Sequence, residues 1–165
     1  MITPRVYAAC LASYNAGTLH GEWLDATDPD ELREGIEEML ADSPAPGAEE
    51  WAFHDSEGFG DYSVSDHDGI DELAEIGRCI EEHGEAFAAY IEHVGGDPDE
   101  SGFEEAYCGE WDSETAYAED TMDDLYPIPD HLVNYIDYAA FARDLFCSDY
   151  FSIDSPAGVY VFRNC

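Results

Sequence analysis

The chain has no lysine. Its only strongly basic side chains are five arginines, Arg5, Arg33, Arg78, Arg143 and Arg163, set against 40 aspartates and glutamates, for a formal net charge of −35 over 165 residues. Such an acidic excess excludes a nucleic-acid-binding surface, because phosphate contacts and base-stacking grooves both depend on basic groups. It also excludes electrostatic attraction to anionic lipid. No apolar run approaches the roughly 20 residues of a membrane-spanning helix, and the start, Met1-Ile2-Thr3-Pro4-Arg5, lacks the apolar segment of a secretory signal. The five cysteines, Cys10, Cys79, Cys108, Cys147 and Cys165, are odd in number and include no C-x-x-C spacing. A reduced, cytoplasmic, soluble protein is therefore expected, with something basic as its natural partner.

Signatures of catalysis and of metal binding are missing too. There is no Walker A sequence, no G-x-S-x-G and no G-x-G-x-x-G. His20, His54, His67, His83, His93 and His131 form neither H-E-x-x-H nor a Cys/His zinc spacing. The nearest approach to a calcium loop begins Asp97-Pro98-Asp99-Glu100-Ser101-Gly102, but its twelfth position, where a bidentate glutamate belongs, is Cys108. Asp66-His67-Asp68-Gly69 has its glycine too early. Paired carboxylates could serve a glycosidase, yet 40 acidic residues make any chosen pair unspecific. No enzyme activity, cofactor or metal is expected.

What is present is the material for a core. Apolar residues make up 45% of the chain, with 3 Trp, 11 Tyr and 8 Phe, which sets it apart from disordered acidic chains. Residues 5–12 read as a strand, Asn15-Ala16-Gly17 as a turn, and Leu19 to Leu24 as the returning strand. Asp28-Pro29-Asp30-Glu31 is a helix start, with Asp28 as cap and Pro29 at the first helical position. That helix ends before Ser43-Pro44-Ala45-Pro46-Gly47, and Trp51-Ala52-Phe53 suggests a third strand. From Gly69 to Val94 the period is helical, interrupted at Gly84 and stopped by Gly95-Gly96. A short helix over 99–105, a strand from Ala106 to Trp111, and a helix from Ser113 to Leu125 capped by Asp112 follow. Asp137 caps a last helix through Phe146, and Tyr150–Ile153 with Val159–Phe162 read as a closing hairpin. The fold class is α+β in three modules: 1–60, a small antiparallel sheet plus helix; 61–103, helical; and 104–165, mixed α/β.

The charge has a pattern. In the first long helix Leu32, Ile36, Met39 and Leu40 form an apolar face, and Asp30, Glu34, Glu37 and Glu38 project from the other side. Asp71, Glu72, Glu75 and Glu82 stand away from Leu73, Ile76 and Ile80 in the second. Residues 97–124 hold twelve acidic groups and no arginine, among them Asp112, Glu114, Glu119, Asp120, Asp123 and Asp124. A charged face opposite an apolar stripe is the pattern of any solvated helix. Ordinary helices, however, mix signs at i,i+4, whereas like charges occupy those positions here and destabilise. Helical neighbours three or four apart lie roughly 5–6 Å from each other, close to the spacing of phosphates along one strand of a duplex. Two readings remain open on residues alone: a surface built to meet a basic groove, or an acidic, salt-adapted interaction module with no such role.

Longer strings carry a family resemblance. Pro4-Arg5-Val6-Tyr7, Cys10-Leu11-Ala12-Ser13-Tyr14-Asn15-Ala16-Gly17 and Leu19-His20-Gly21-Glu22-Trp23-Leu24-Asp25 resemble the opening of the ArdA antirestriction proteins. So do Gly84-Glu85-Ala86-Phe87-Ala88-Ala89-Tyr90 with Gly95-Gly96-Asp97, Glu105-Ala106-Tyr107-Cys108-Gly109-Glu110-Trp111, and Phe141-Ala142-Arg143-Asp144-Leu145 with Asp149-Tyr150-Phe151. The resemblance implies an elongated, three-module homodimer, carried on mobile genetic elements, that imitates bent B-form DNA. It implies binding to type I restriction–modification enzymes, and it brings no catalytic residue. The carboxylates named above become candidate phosphate mimics. A dimer of like-charged subunits must meet where charge is sparse. Residues 126–165 carry five acidic groups and two arginines, so the contact is expected there, on Tyr150, Phe151, Val159 and Phe162.

Overall fold

The computed structural model describes residues 3–66, 68–95 and 98–164. Gly96 of the expected helix stop, Asp97 at the head of the calcium-loop match, His67 and Cys165 lie outside them. The described chain is α+β, with helices and two three-stranded antiparallel sheets. It divides into two compact units, Met1–Asp99 and Glu100–Cys165.

In the first unit, strands β1 (Arg5–Cys10), β2 (Gly21–Asp25) and β3 (Trp51–Glu57) form a sheet of order β2-β1-β3. The first strand is central, and Val6, Ala8, Ala9 and Cys10 on it are buried. Arg5 sits in register between Asp25 on one neighbour and Glu57 on the other, and it pairs with both at 3.1 and 3.6 Å. The strand stops at Cys10, where a short helix, α1 (Leu11–Asn15), replaces the expected strand end and turn. The Cys10 Sγ accepts from the Ser13 amide, so a thiol takes the capping role usually filled by an oxygen.

Helix α2 (Pro29–Ala41) begins as the sequence predicts. Asp28 Oδ1 accepts from the Asp30 and Glu31 amides at 2.8 and 3.0 Å, satisfying two donors that the first turn leaves open. Leu32, Ile36 and Met39 are buried and Leu40 is half-buried. The helix packs on β1 and β2, with Gly35 against the Leu24 side chain. Helix α3 (Ile70–His83) buries Leu73, Ala74, Ile76, Cys79 and Ile80, and α4 (Glu85–Val94) buries Phe87, Ala88 and Ile91. Gly84 separates them at φ 79°, a conformation that only glycine adopts without strain. Gly77 lies against the Ala26 carbonyl so closely that a Cβ there would overlap it. That contact seats α3 on the loop entering α2.

The second unit opens with α5 (Glu100–Ala106), so Glu100, Ser101 and Gly102 of the calcium-loop match are helical. Strands β4 (Tyr107–Trp111), β5 (Tyr150–Ser155) and β6 (Gly158–Arg163) form a sheet of order β4-β6-β5. Phe162 on the central strand is fully buried, with ring centroids 5.1 Å from Phe151, 5.4 Å from Tyr107 and 6.1 Å from Phe103. Helices α6 (Glu114–Leu125) and α7 (Tyr138–Ser148) pack together. The cap of α6 is Ser113 and not the expected Asp112: the Ser113 Oγ accepts from the Ala116 amide at 3.1 Å. Asp137 caps α7 as expected, accepting from the Ala140 amide at 2.9 Å. A 3-10 turn, Val133–Tyr135, lies between these helices.

Replacing Gly77 with alanine is expected to lower stability by about 1–3 kcal/mol, the usual size of overpacking, even though alanine is the better helix former. Thermal or urea unfolding reads this directly, and an unchanged or higher Tm would contradict the contact.

Candidate carboxylate surface

The candidate phosphate mimics stand where helix periodicity put them. Asp30, Glu34, Glu37 and Glu38 on α2, Asp71, Glu72, Glu75 and Glu82 on α3, and Glu119, Asp120, Asp123 and Asp124 on α6 are all exposed, as is Asp112 just before α6. Glu114 is half-buried and accepts a hydrogen bond from the Ser152 hydroxyl at 2.7 Å. On α6, Glu119 with Asp123 and Asp120 with Asp124 repeat the i,i+4 like-charge spacing. Each helix therefore carries its charge opposite the side chains it buries.

Three of these carboxylates are engaged by arginine. Arg33 Nη1 donates to Asp30 at 2.9 Å, and Nη2 donates to Asp71 at 2.8 Å, so one guanidinium ties α2 to α3. The hydrogen bond and charge of Asp71, followed by those of Asp30, raise the Arg33 pKa above its ordinary value. Arg78 pairs with Glu82 one turn along α3, at 3.2 Å. Sequence reasoning assigned Arg33 no role. The Asp30-x-x-Arg33 spacing was visible, but Asp71 lies 38 residues away and no local signal joins them.

Neutral donors hold other carboxylates in place. The Tyr62 hydroxyl and the Ser65 amide donate to Asp68 at 3.2 and 2.8 Å, and the Ser63 amide donates to Glu92 at 3.3 Å. Burial, and then Asp68, Glu72 and Glu92, push the Tyr62 phenol far above its usual range. This proton stays in place, so Tyr62 remains a donor at any physiological pH. Ser155 donates to Glu110 at 2.6 Å in the second unit. Within either unit, no three His, Cys, Asp or Glu side chains among the described residues converge as metal ligands.

The side chains expected at a dimer contact are placed differently from one another. Phe162 has no exposed surface, while Tyr150, Phe151 and Val159 are half-buried. The Tyr150 ring packs edge-on against Tyr117, with centroids 5.1 Å apart. The open apolar surface of this unit lies elsewhere: Leu125 is 63% exposed, Tyr126 57%, Leu132 45% and Tyr135 85%. Leu125 and Tyr150 line one hollow of about 420 Å³, together with Leu145 and Arg163.

Comparison with protein families matches residues 6–157 to the family described as antirestriction protein (ArdA). The chain belongs to the ArdA family. A search of curated proteins found no match. Membership gives the function class, antirestriction, with restriction enzymes as its targets. No helix among the described residues of this ArdA protein is long and apolar enough to cross a membrane.

Glu34 with Glu38 and Glu34 with Glu37 are like-charge pairs one turn apart, and the last two also face the negative end of α2. Neutralising all three with glutamine should raise the Tm at low ionic strength by about 1–3 °C, the gain shrinking as salt screens the repulsion. A loss of stability would mean that these carboxylates make favourable contacts instead.

Proposed function

We propose that this ArdA protein imitates B-form DNA and occupies the DNA-binding groove of a type I restriction–modification enzyme, inhibiting it competitively. The observation that carries the reading is the set of exposed carboxylates on α2, α3 and α6, spaced a helical turn apart, with the apolar side chains of α2 and α3 buried beneath them. Basic side chains in the enzyme groove would exchange phosphates for these groups, with no base edges to read and hence no sequence preference. The inhibitor needs no catalytic group: it acts by stoichiometric occupation in the cytoplasm, and the partner is a protein, not nucleic acid or membrane.

We further propose a homodimer joined through the C-terminal unit. Doubling a charge of −35 gives −70. At one charge per ~1.7 Å of duplex, that corresponds to an upper bound of roughly 120 Å, or about 35 base pairs. A division of the chain at about 60 and 103 would give each dimer three carboxylate-bearing modules per subunit. Supporting a C-terminal contact are the five acidic groups and two arginines of residues 126–165 and the exposed Leu125, Tyr126, Leu132 and Tyr135. Of the side chains expected at the contact, Tyr150 shares a hollow with Leu125, whereas Phe151 packs with the buried Phe162.

The competing reading, a salt-adapted acidic module, is favoured only by the composition. One experiment separates them: displacement of a labelled duplex from a type I methyltransferase core by the purified protein. Displacement is expected to be independent of DNA sequence and to weaken steeply between about 50 and 200 mM salt. Absence of displacement at low salt, or inhibition unchanged at several hundred millimolar, would overturn the mimic. For the dimer, Leu132→Asp with Tyr135→Asp should give a folded monomer by sedimentation, because both side chains are already exposed in the single chain. A variant that remains dimeric would move the contact elsewhere.

A further inference from the structure

The α2 and α3 carboxylates belong to two separate helices, and Arg33 connects them. Its guanidinium donates to Asp30, one turn back on its own helix, and to Asp71 in the first turn of α3. The fork of a guanidinium is planar and rigid, so holding both carboxylates at once restrains the distance between the two helix starts, in addition to the packing of the helices themselves. An arginine at this place is otherwise unfavourable. It subtracts charge from a face that would meet a basic partner, and it repels that partner's cations. A surface built on charge count alone would leave the position acidic or neutral.

We propose that Arg33 is a positioning residue: its bridge between Asp30 and Asp71 sets the spacing of the carboxylate rows of α2 and α3, so that both rows enter one basic groove together. The inference rests on the DNA-mimic reading above. It makes a prediction opposite in sign to one from net charge. Removing the arginine makes the protein more acidic, which strengthens attraction to a basic groove, but releases the two rows from their common geometry.

The test compares R33Q with R143Q. Each takes the formal net charge from −35 to −36, and Arg143 is exposed on α7 of the other unit. Both full-length proteins compete with a labelled duplex for a type I methyltransferase core over a range of salt. R143Q is expected to inhibit as well as the unaltered protein or better. R33Q is expected to bind at least about fivefold more weakly, with a shallower dependence of log affinity on log salt, because fewer carboxylates engage at once. A partly unfolded variant would lower the active concentration and leave that slope unchanged. R33K, which keeps the charge and loses the fork, should fall between. R33E/D71R, which exchanges the ends of the bridge at constant net charge, should recover affinity. If R33Q matches R143Q in both affinity and slope, Arg33 does not position the rows and the mimic reading stands. If the unaltered protein fails to displace DNA, the mimic reading fails and this inference with it.

Discussion

Repulsion among 40 carboxylates on a chain with five arginines is the constraint around which both units are organised. Stability of a domain this size is typically only about 5–15 kcal/mol, so unrelieved like-charge contacts cannot accumulate freely. Relief comes in three forms. Helices α2 and α3 each bury an apolar stripe, and α6 buries Tyr117 and Ala118; that burial offsets the surface repulsion. Arginines stand between acidic elements: Arg5 between two strands, Arg33 between two helices. Hydroxyl and amide donors hold Asp68, Glu92, Glu110 and Glu114 without adding charge. Exposed ion pairs contribute little to stability individually; their value here lies in fixing which carboxylates are neighbours.

On the proposed reading, the inhibitor would place its specificity in shape. The ArdA family membership supplies the target class, and the exposed carboxylates supply the chemistry that a basic groove would recognise. The two units divide the work unequally. The first carries the acidic helices α2 and α3 with the ion pairs that organise them. The second combines the acidic α6 with the apolar surface around Leu132 and Tyr135, which is unusual on so charged a chain.

Much of this was legible in the sequence where the cause is local. Asp28-Pro29 marked the start of α2, periodicity placed the buried faces of α2 and α3, and Gly84 marked the boundary between α3 and α4. Exposure of the named helical carboxylates, apart from Glu114, followed from the same periodicity. The choice of capping residue, and features decided by neighbours at a distance, were not legible. The strand expected over 5–12 ends at Cys10 because Ser13 and Cys10 cap a helical turn. Ser113, and not Asp112, caps α6 because its backbone is extended and its hydroxyl reaches the Ala116 amide. Phe162 had an apolar pattern equally suited to a core or an interface, and only the ring contacts with Phe103, Tyr107 and Phe151 decide that it fills the core. The Arg33–Asp71 bridge joins residues with no sequence relation at all.

The order β2-β1-β3 also has a consequence during synthesis. The first strand made is the central one, and it can pair with β2 as soon as the hairpin emerges, but its other edge stays bare until residue 57 has left the ribosome. A bare edge is a template for pairing with another chain. The intervening segment from Asp25 to Glu50 is dense with acidic residues, so every nascent copy repels its neighbours on the polysome during that interval. The charge that would meet a restriction enzyme in the finished molecule thus guards the unfinished one against aggregation.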